Sequence, residues 1–156
     1  MKLTAKTDLD APIGFVFECL SDHPTWEREA AERGIDVERP ADMPMSGLGA
    51  GWLIRLPFRG KVVKILLRMT GMARDQNLGF DYQSNSGEGD LGLSVMSLSP
   101  RRTRLHLTID IRPRTLAARL FLNTLRLGRG RVQSRLDMRV QQMGMQIQNR
   151  YARSQR

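Results

Sequence analysis

The chain closes with the sequence PRTLAARLFLNTLRLGRGRVQSRLDMRVQQMGMQIQNRYAR, which spans residues 113–153. Its apolar side chains recur in steps of three and four residues, which is the spacing of one face of an α-helix. The residues on this face are Phe121, Leu125, Val132, Leu136, Val140, Met143, Ile147 and Tyr151. The pattern predicts a long amphipathic helix that ends the chain and packs its apolar face on the rest of the protein.

An unbroken helix over this segment would be roughly 60 Å long, whereas a domain of this size is about 40 Å wide. The helix must therefore bend, overhang or fray. Its weak point is Gly128-Arg129-Gly130, where two glycines flank an arginine that falls in the one wide gap of the apolar face. We consider two roles for Arg129. Either it meets the anionic group of an amphipathic ligand, or the helix bends and the long side chain carries its charge to water.

The residues before this helix alternate between apolar and polar types, which predicts β-strands joined by short turns. Neighbouring strands that short turns connect must be antiparallel. The predicted strands cover residues 2–9, 35–39, 52–58, 62–69, 78–82, 91–95 and 105–111, with two short helices at about 13–20 and 26–33. The predicted fold class is therefore α+β, with a curved antiparallel sheet of about seven strands wrapped around the C-terminal helix. Nothing marks a second domain, so we expect residues 1–156 to form one domain.

Composition and targeting signals bear on where the protein works. The chain has a single cysteine, Cys19, which excludes an internal disulfide framework and is typical of a reducing compartment. The N-terminal residues lack the apolar run of a secretion signal, and no segment has the length of a membrane span. We predict a cytoplasmic protein that is not integral to a membrane; the sequence leaves monomer and homodimer open.

The positive charge of the chain is concentrated in its last helix. The whole chain has a formal net charge of +9, yet residues 112–156 contain eleven arginines, no lysine and one acid, Asp137. Such a helix suits an acidic partner or an anionic membrane surface, or it is simply a solvated face. No aromatic residues interleave with the arginines, as a platform for stacking single-stranded nucleic acid requires. We therefore predict no nucleic-acid partner.

The order of elements resembles the START-like helix-grip superfamily, also called SRPBCC, which includes polyketide cyclases and dehydrases, plant allergens and lipid-transfer domains. The likeness covers nearly the whole chain, and its later segments are similar to those of alphaproteobacterial members. It rests on Ala11-Pro12-Ile13, Val16-Phe17, Asp22, and residues 52–60, 99–105 and 114–120. The resemblance implies a cavity for an apolar ligand between the sheet and the C-terminal helix.

If the apolar faces of the strands turn toward that helix, they line the implied cavity. The candidate ligand-binding residues are Trp52, Ile54, Leu67, Met69, Phe80, Tyr82, Leu93, Val95, Leu107, Ile109, Leu125, Arg129 and Leu136. A pocket wall and a packed core have the same sequence pattern, so ordinary core packing is the alternative for every apolar member of this set.

The loop at residues 40–51 is long and contains Gly47-Leu48-Gly49-Ala50-Gly51. A strand follows it, whereas phosphate-binding glycine loops precede a helix, so phosphate binding is disfavoured. The loop resembles the glycine-rich loop that flanks the cavity entrance in plant members of the superfamily. We expect a mobile lip whose Met43, Met45 and Leu48 make adaptable apolar contacts.

Metal and catalytic chemistry have little support in the sequence. Two histidines and one cysteine make a metal site improbable, and His106 alternates with apolar neighbours and should point away from the core. We predict no cofactor and assign no catalytic residue. The preferred function is binding of a hydrophobic or amphipathic small molecule, for transport or sequestration. One alternative is a cyclase-like or dehydrase-like enzyme, which needs an ionisable pair near Tyr82; the other is an interaction module that docks its arginine-rich helix.

Overall fold

The computed structural model describes residues 1–156 as seven strands and four helices. The strands are β1 (Lys2–Leu9), β2 (Asp36–Glu38), β3 (Gly51–Phe58), β4 (Lys61–Ala73), β5 (Asn77–Gln83), β6 (Gly87–Ser99) and β7 (Arg102–Pro113). The helices are α1 (Ile13–Ser21), α2 (His23–Glu32), α3 (Leu116–Leu127) and α4 (Arg129–Ser154). This order confirms the predicted α+β class, with two helices between the first two strands.

All seven strands form one antiparallel sheet in the order β1-β7-β6-β5-β4-β3-β2. Strands β2 to β7 follow one another in space as they do in sequence, and β1 completes the sheet by pairing with β7. The predicted turn at Arg59-Gly60 is present. Both residues have positive φ, at 52° and 78°, which a two-residue hairpin turn between right-twisted strands requires.

The core lies between one face of this sheet and the helices. Trp52, Leu78 and Leu105 contribute to it from three strands and Val16 from α1, and each is at most 1% exposed. Because successive strand residues point to opposite faces, the other face of the sheet is polar and carries ion pairs such as Arg104–Asp8. We call the core side of the sheet its inner face.

Helix α4 runs along β1, an edge strand of the sheet. Gln133 donates a hydrogen bond to the Thr4 carbonyl (2.8 Å), and the Asp10 amide donates one to the Gln148 side chain (2.8 Å). Gly144, between these two contacts, is buried, and a β-carbon there would lie 2.8 Å from Cγ2 of Thr7. The glycine therefore sets how closely helix and strand approach.

The predicted C-terminal helix is divided in two. Helix α3 ends at Leu127, Gly128 adopts a non-helical conformation (φ −101°, ψ 29°), and α4 begins at Arg129. The length of the predicted helix implied that it would bend, overhang or fray. The structure shows a bend, which lies at Gly128. A residue without a side chain gives the least resistance to this change of direction.

The loop between β2 and β3 supplies none of the residues that line the large cavity described below, contrary to the expected lip. Arg39 anchors the loop by donating to the carbonyl oxygens of Gly51 (2.9 Å) and Met45. The side chain of Met43 packs against Gly51 and lines a small outer hollow beside Arg68. One arginine thus satisfies several loop carbonyls that regular structure leaves free.

Candidate ligand-binding cavity

A cavity of about 450 Å³ lies between the inner face of the sheet, helices α1 and α2, and the C-terminal half of α4. Its apolar wall consists of Ile54, Leu67, Phe80, Leu91 and Leu93 from strands β3 to β6, and Cys19, Leu20, Trp26, Met143 and Ile147 from the helices. The strand residues reach it because alternate side chains of neighbouring antiparallel strands share one face. The cavity is therefore a gap in the contact between the sheet and the helices.

The polar lining residues belong to the helices and surround the opening of the cavity. Five of them, Glu29 and Arg33 on α2 and Arg139, Gln142 and Gln146 on α4, are exposed to solvent. Their positions on α4 follow steps of three and four residues beside the apolar face, so one helix supplies both the apolar wall and part of the polar rim. We call the polar residues of α1, α2 and α4 the mouth of the cavity.

An ion pair closes one end of the mouth. Arg150 lies 3.4 Å from Asp22, which also accepts a hydrogen bond of 2.6 Å from the Thr25 hydroxyl. The Thr25 hydrogen bond, aided by Arg150, lowers the pKa of Asp22. Asp22 is therefore ionised at neutral pH and neutralises Arg150, while Arg33 and Arg139 have no acidic partner.

Four of the thirteen candidate ligand-binding residues line this cavity, namely Ile54, Leu67, Phe80 and Leu93. The others are distributed through the core and beyond it. Trp52 and Met69 are buried in the main core, and Val95 packs against that core. Leu107, Ile109 and Leu136 belong to a second cluster around Ala5 and Val140. Leu125 is half-buried on α3. The alternative of core packing therefore describes most of the set.

Tyr82 is not among the residues that line the cavity. Its ring lies against Gly89 of β6, where a β-carbon would come within 2.5 Å of the tyrosine hydroxyl, and this hydroxyl donates to the Asp110 carbonyl (3.2 Å). Burial raises the pKa of Tyr82. The side chain thus has a structural partner, and no pair of ionisable groups faces the cavity beside it.

Arg129 is exposed at the first turn of α4 and lies outside the cavity. Because the bend at Gly128 turns this position to the surface, the guanidinium needs no buried partner. Arg139 and Arg150, which the sequence analysis passed over, are the α4 arginines at the mouth.

The one cysteine of the chain is a built-in probe of the cavity wall. Burial raises the pKa of the Cys19 thiol, and the charge of Arg150 opposes this only in part. A higher pKa means less thiolate at neutral pH, so iodoacetamide should alkylate Cys19 several-fold more slowly in the folded protein than in urea. Mass spectrometry of timed samples measures both rates. Equal rates would show that this wall is open to solvent and that the thiol is unperturbed.

Three further features of the fold bear on its chemistry. No group of three or more histidine, cysteine or acidic residues is arranged to hold a metal ion. His106 is half-buried between the buried Leu105 and Leu107, so it points to the outer face, as predicted. None of the helices combines the length and the apolar character needed to cross a bilayer.

No protein-family model matches the chain, and no curated protein matches it either. Solved structures do. An aromatase/cyclase from a Streptomyces species is 14% identical with a TM-score of 0.68, over 96% of this chain and 94% of that one. A Thermus thermophilus protein is also 14% identical at 0.68, over 94% and 97%. A START superfamily protein from Mycobacterium smegmatis is 15% identical at 0.51, over 91% and 98%. With the sheet order and the terminal helix, these matches show that the chain has the helix-grip fold.

Proposed function

We propose that this protein binds an amphipathic small molecule, with the apolar part in the cavity and an anionic group at the mouth. The observation that carries the proposal is the cavity itself. Its volume of about 450 Å³ lies in the range of small-molecule sites, and its wall is apolar while its polar groups are gathered at the opening. This distribution matches a molecule with an apolar body and one polar end.

The charges at the mouth favour an anion. Three arginines, Arg33, Arg139 and Arg150, face two acids, Asp22 and Glu29. Since Asp22 is already paired with Arg150, an approaching carboxylate meets two guanidinium groups whose hydrogen-bond donors have no acidic partner. A guanidinium binds a carboxylate through two parallel hydrogen bonds, which gives direction as well as affinity.

The enzyme alternative receives no specific support from the cavity. It called for an ionisable pair near Tyr82, and the hydroxyl of that tyrosine is engaged by a main-chain carbonyl instead. One of the structural matches is an aromatase/cyclase, but it is only 14% identical to this chain, which supports a shared fold and not a shared activity. Binding is therefore the function that the geometry supports best.

The proposal predicts that delipidated protein binds a fluorescent long-chain fatty acid, and that Leu67→Trp abolishes this binding. The larger ring at position 67 would fill the cavity, which Leu67 lines from the inner face of β4. Leu66→Trp is the matched control, because the adjacent residue on the same strand points to the outer face. Fluorescence titration measures binding, and protection of Cys19 from alkylation reports on the same cavity. Equal affinities of the two variants would contradict the proposal.

The anionic group is tested by comparing a fatty acid with the fatty alcohol of equal length. Arg139→Gln should weaken binding of the acid about tenfold and leave the alcohol within about twofold, since only the acid forms a charge-assisted hydrogen bond. Arg135→Gln, an exposed α4 arginine that does not line the cavity, is the control. If the acid and the alcohol lose affinity equally, the mouth does not recognise charge.

A further inference from the structure

Helix α3 has apolar side chains on two opposite faces, and only one of these faces is covered. Leu122 on the inner face is buried. Leu116, Leu120 and Leu127 lie within about 40° of one another on the other face, and they are 73%, 59% and 93% exposed. Single exposed leucines are common on protein surfaces, but three on one face of one helix indicate a surface that meets another apolar phase.

The tip of the β3–β4 hairpin packs against α3. The ring centroid of Phe58 lies 5.8 Å from that of Phe121 on α3, and the Arg59 guanidinium lies over the Phe121 ring at 4.7 Å. Phe58 is itself 45% exposed. These contacts fix the hairpin tip beside α3, and we call the three exposed leucines with Phe58 the α3 patch.

Six cations on α3, at the start of α4 and at the hairpin tip lack acidic partners. Arg119 and Arg126 lie about 60° and 80° from Leu116 around the helix, on the same side of the stripe. These cations, none of which is in an ion pair, are Arg59, Lys61, Arg119, Arg126, Arg129 and Arg131. The arginines on the outer face of the sheet contrast with them, because Arg55, Arg68, Arg104 and Arg112 each contact a carboxylate.

We propose that the α3 patch docks on an anionic lipid membrane, with the leucine stripe at the level of the acyl chains and the arginines among the headgroups. An interfacial helix needs this arrangement of an apolar stripe flanked by cations with long flexible stems. Charge complementarity selects the partner. A second copy of the chain would bring six unpaired cations against six more, whereas an anionic bilayer neutralises them and buries the leucines at once.

The test is flotation of the full chain with vesicles of phosphatidylglycerol and phosphatidylcholine, and with vesicles of phosphatidylcholine alone. We expect at least tenfold tighter binding to the anionic vesicles. We expect this preference to disappear as the ionic strength rises from about 0.01 M to about 1 M, since the Debye length falls from about 30 Å to about 3 Å. Equal binding to both vesicles, or none to either, would overturn the proposal.

Two variants separate the apolar and electrostatic contributions. Leu116→Ser/Leu120→Ser/Leu127→Ser and Arg119→Gln/Arg126→Gln should each weaken binding to anionic vesicles about tenfold or more. Their controls are Met138→Ser/Met145→Ser, which changes comparably exposed residues of α4, and Arg101→Gln/Arg102→Gln, which removes the same charge from the β6–β7 turn. All substituted side chains lie at exposed positions, so circular dichroism should show every variant folded.

Two results would refute membrane docking specifically. The first is equal loss of binding in the patch and control variants, which would mean that total charge alone matters. The second is a dimer in light scattering that the leucine variant dissociates, which would mean that a second copy covers the patch. The proposal does not depend on occupancy of the cavity, so delipidated protein that binds no fatty acid should still bind anionic vesicles.

Discussion

Trp52→Ala is expected to lower the free energy of unfolding by about 3–5 kcal/mol, the usual cost of removing a large aromatic side chain from a core. Trp52 is completely buried, and its ring packs against Trp26 at 5.0 Å and Phe80 at 6.1 Å. The alanine variant leaves a cavity that strand β3 and helix α2 cannot close without moving. This loss is a large part of the total stability of an ordinary domain.

Trp52 also holds a polar group in place. Its indole N–H donates to Oε1 of Glu27 at 2.6 Å, and the same oxygen accepts from Arg39 at 2.9 Å. The Arg39 guanidinium lies over the indole ring at 4.6 Å from its centroid. The alanine variant removes the ring and the donor together, so helix α2, strand β3 and the loop that Arg39 holds all lose a shared contact.

Urea denaturation followed by circular dichroism measures this effect without relying on tryptophan fluorescence. Trp52→Phe is the informative control, because it keeps an aromatic ring while it removes the indole donor and a small part of the ring volume. It should cost about 1–2 kcal/mol, since Glu27 retains its bond to Arg39. A Trp52→Ala variant within about 1 kcal/mol of the natural chain would mean that the aromatic cluster is not the centre of the core.

Gly144→Leu is expected to lower the free energy of unfolding by about 2–4 kcal/mol and to abolish ligand binding. Any β-carbon at this position would lie 2.8 Å from Cγ2 of Thr7, a short branched side chain on β1 that has little room to yield. The larger side chain must therefore push α4 away from β1. Because α4 also supplies one wall of the cavity and part of its mouth, the site would be lost with the contact.

The same substitution in the same helix provides the control. A β-carbon at Gly130 would meet no atom within 4 Å, so Gly130→Leu should leave stability unchanged or raise it by up to about 1 kcal/mol through helix propensity. Denaturant melts of both variants test the prediction. Similar losses at 144 and 130 would mean that the close approach of α4 to β1 contributes little to the fold.

Much of the fold could be predicted from local patterns. The alternation in residues 62–69 and 105–111 gives strands β4 and β7, and the pair Arg59-Gly60 gives the hairpin between β3 and β4. These features depend on neighbours in sequence, which is why one sequence suffices to find them. Thr115, which accepts from the Ala118 amide at 3.1 Å as the N-cap of α3, is another such local signal.

The candidate site was less predictable. The alternation of apolar and polar residues shows which face of a strand is apolar, but it does not show whether a residue on that face is packed in the core or lines a cavity. Trp52 and Ile54 lie two residues apart on the inner face of β3. The aromatic cluster covers Trp52 completely, whereas Ile54 lines the cavity. Arg139 was missed for a related reason: it is an ordinary exposed helix residue until α2, far away in sequence, is placed opposite it across the mouth.

By itself the sequence determined the strands, the helices, the face of each that is apolar and the place where the last helix bends. Only the tertiary structure decided where the sheet and the helices meet and where they stay apart, and therefore which apolar residues form core and which form cavity. The physical reason is that hydrophobic patterning is set by burial along one element, while a void depends on contacts between elements distant in sequence.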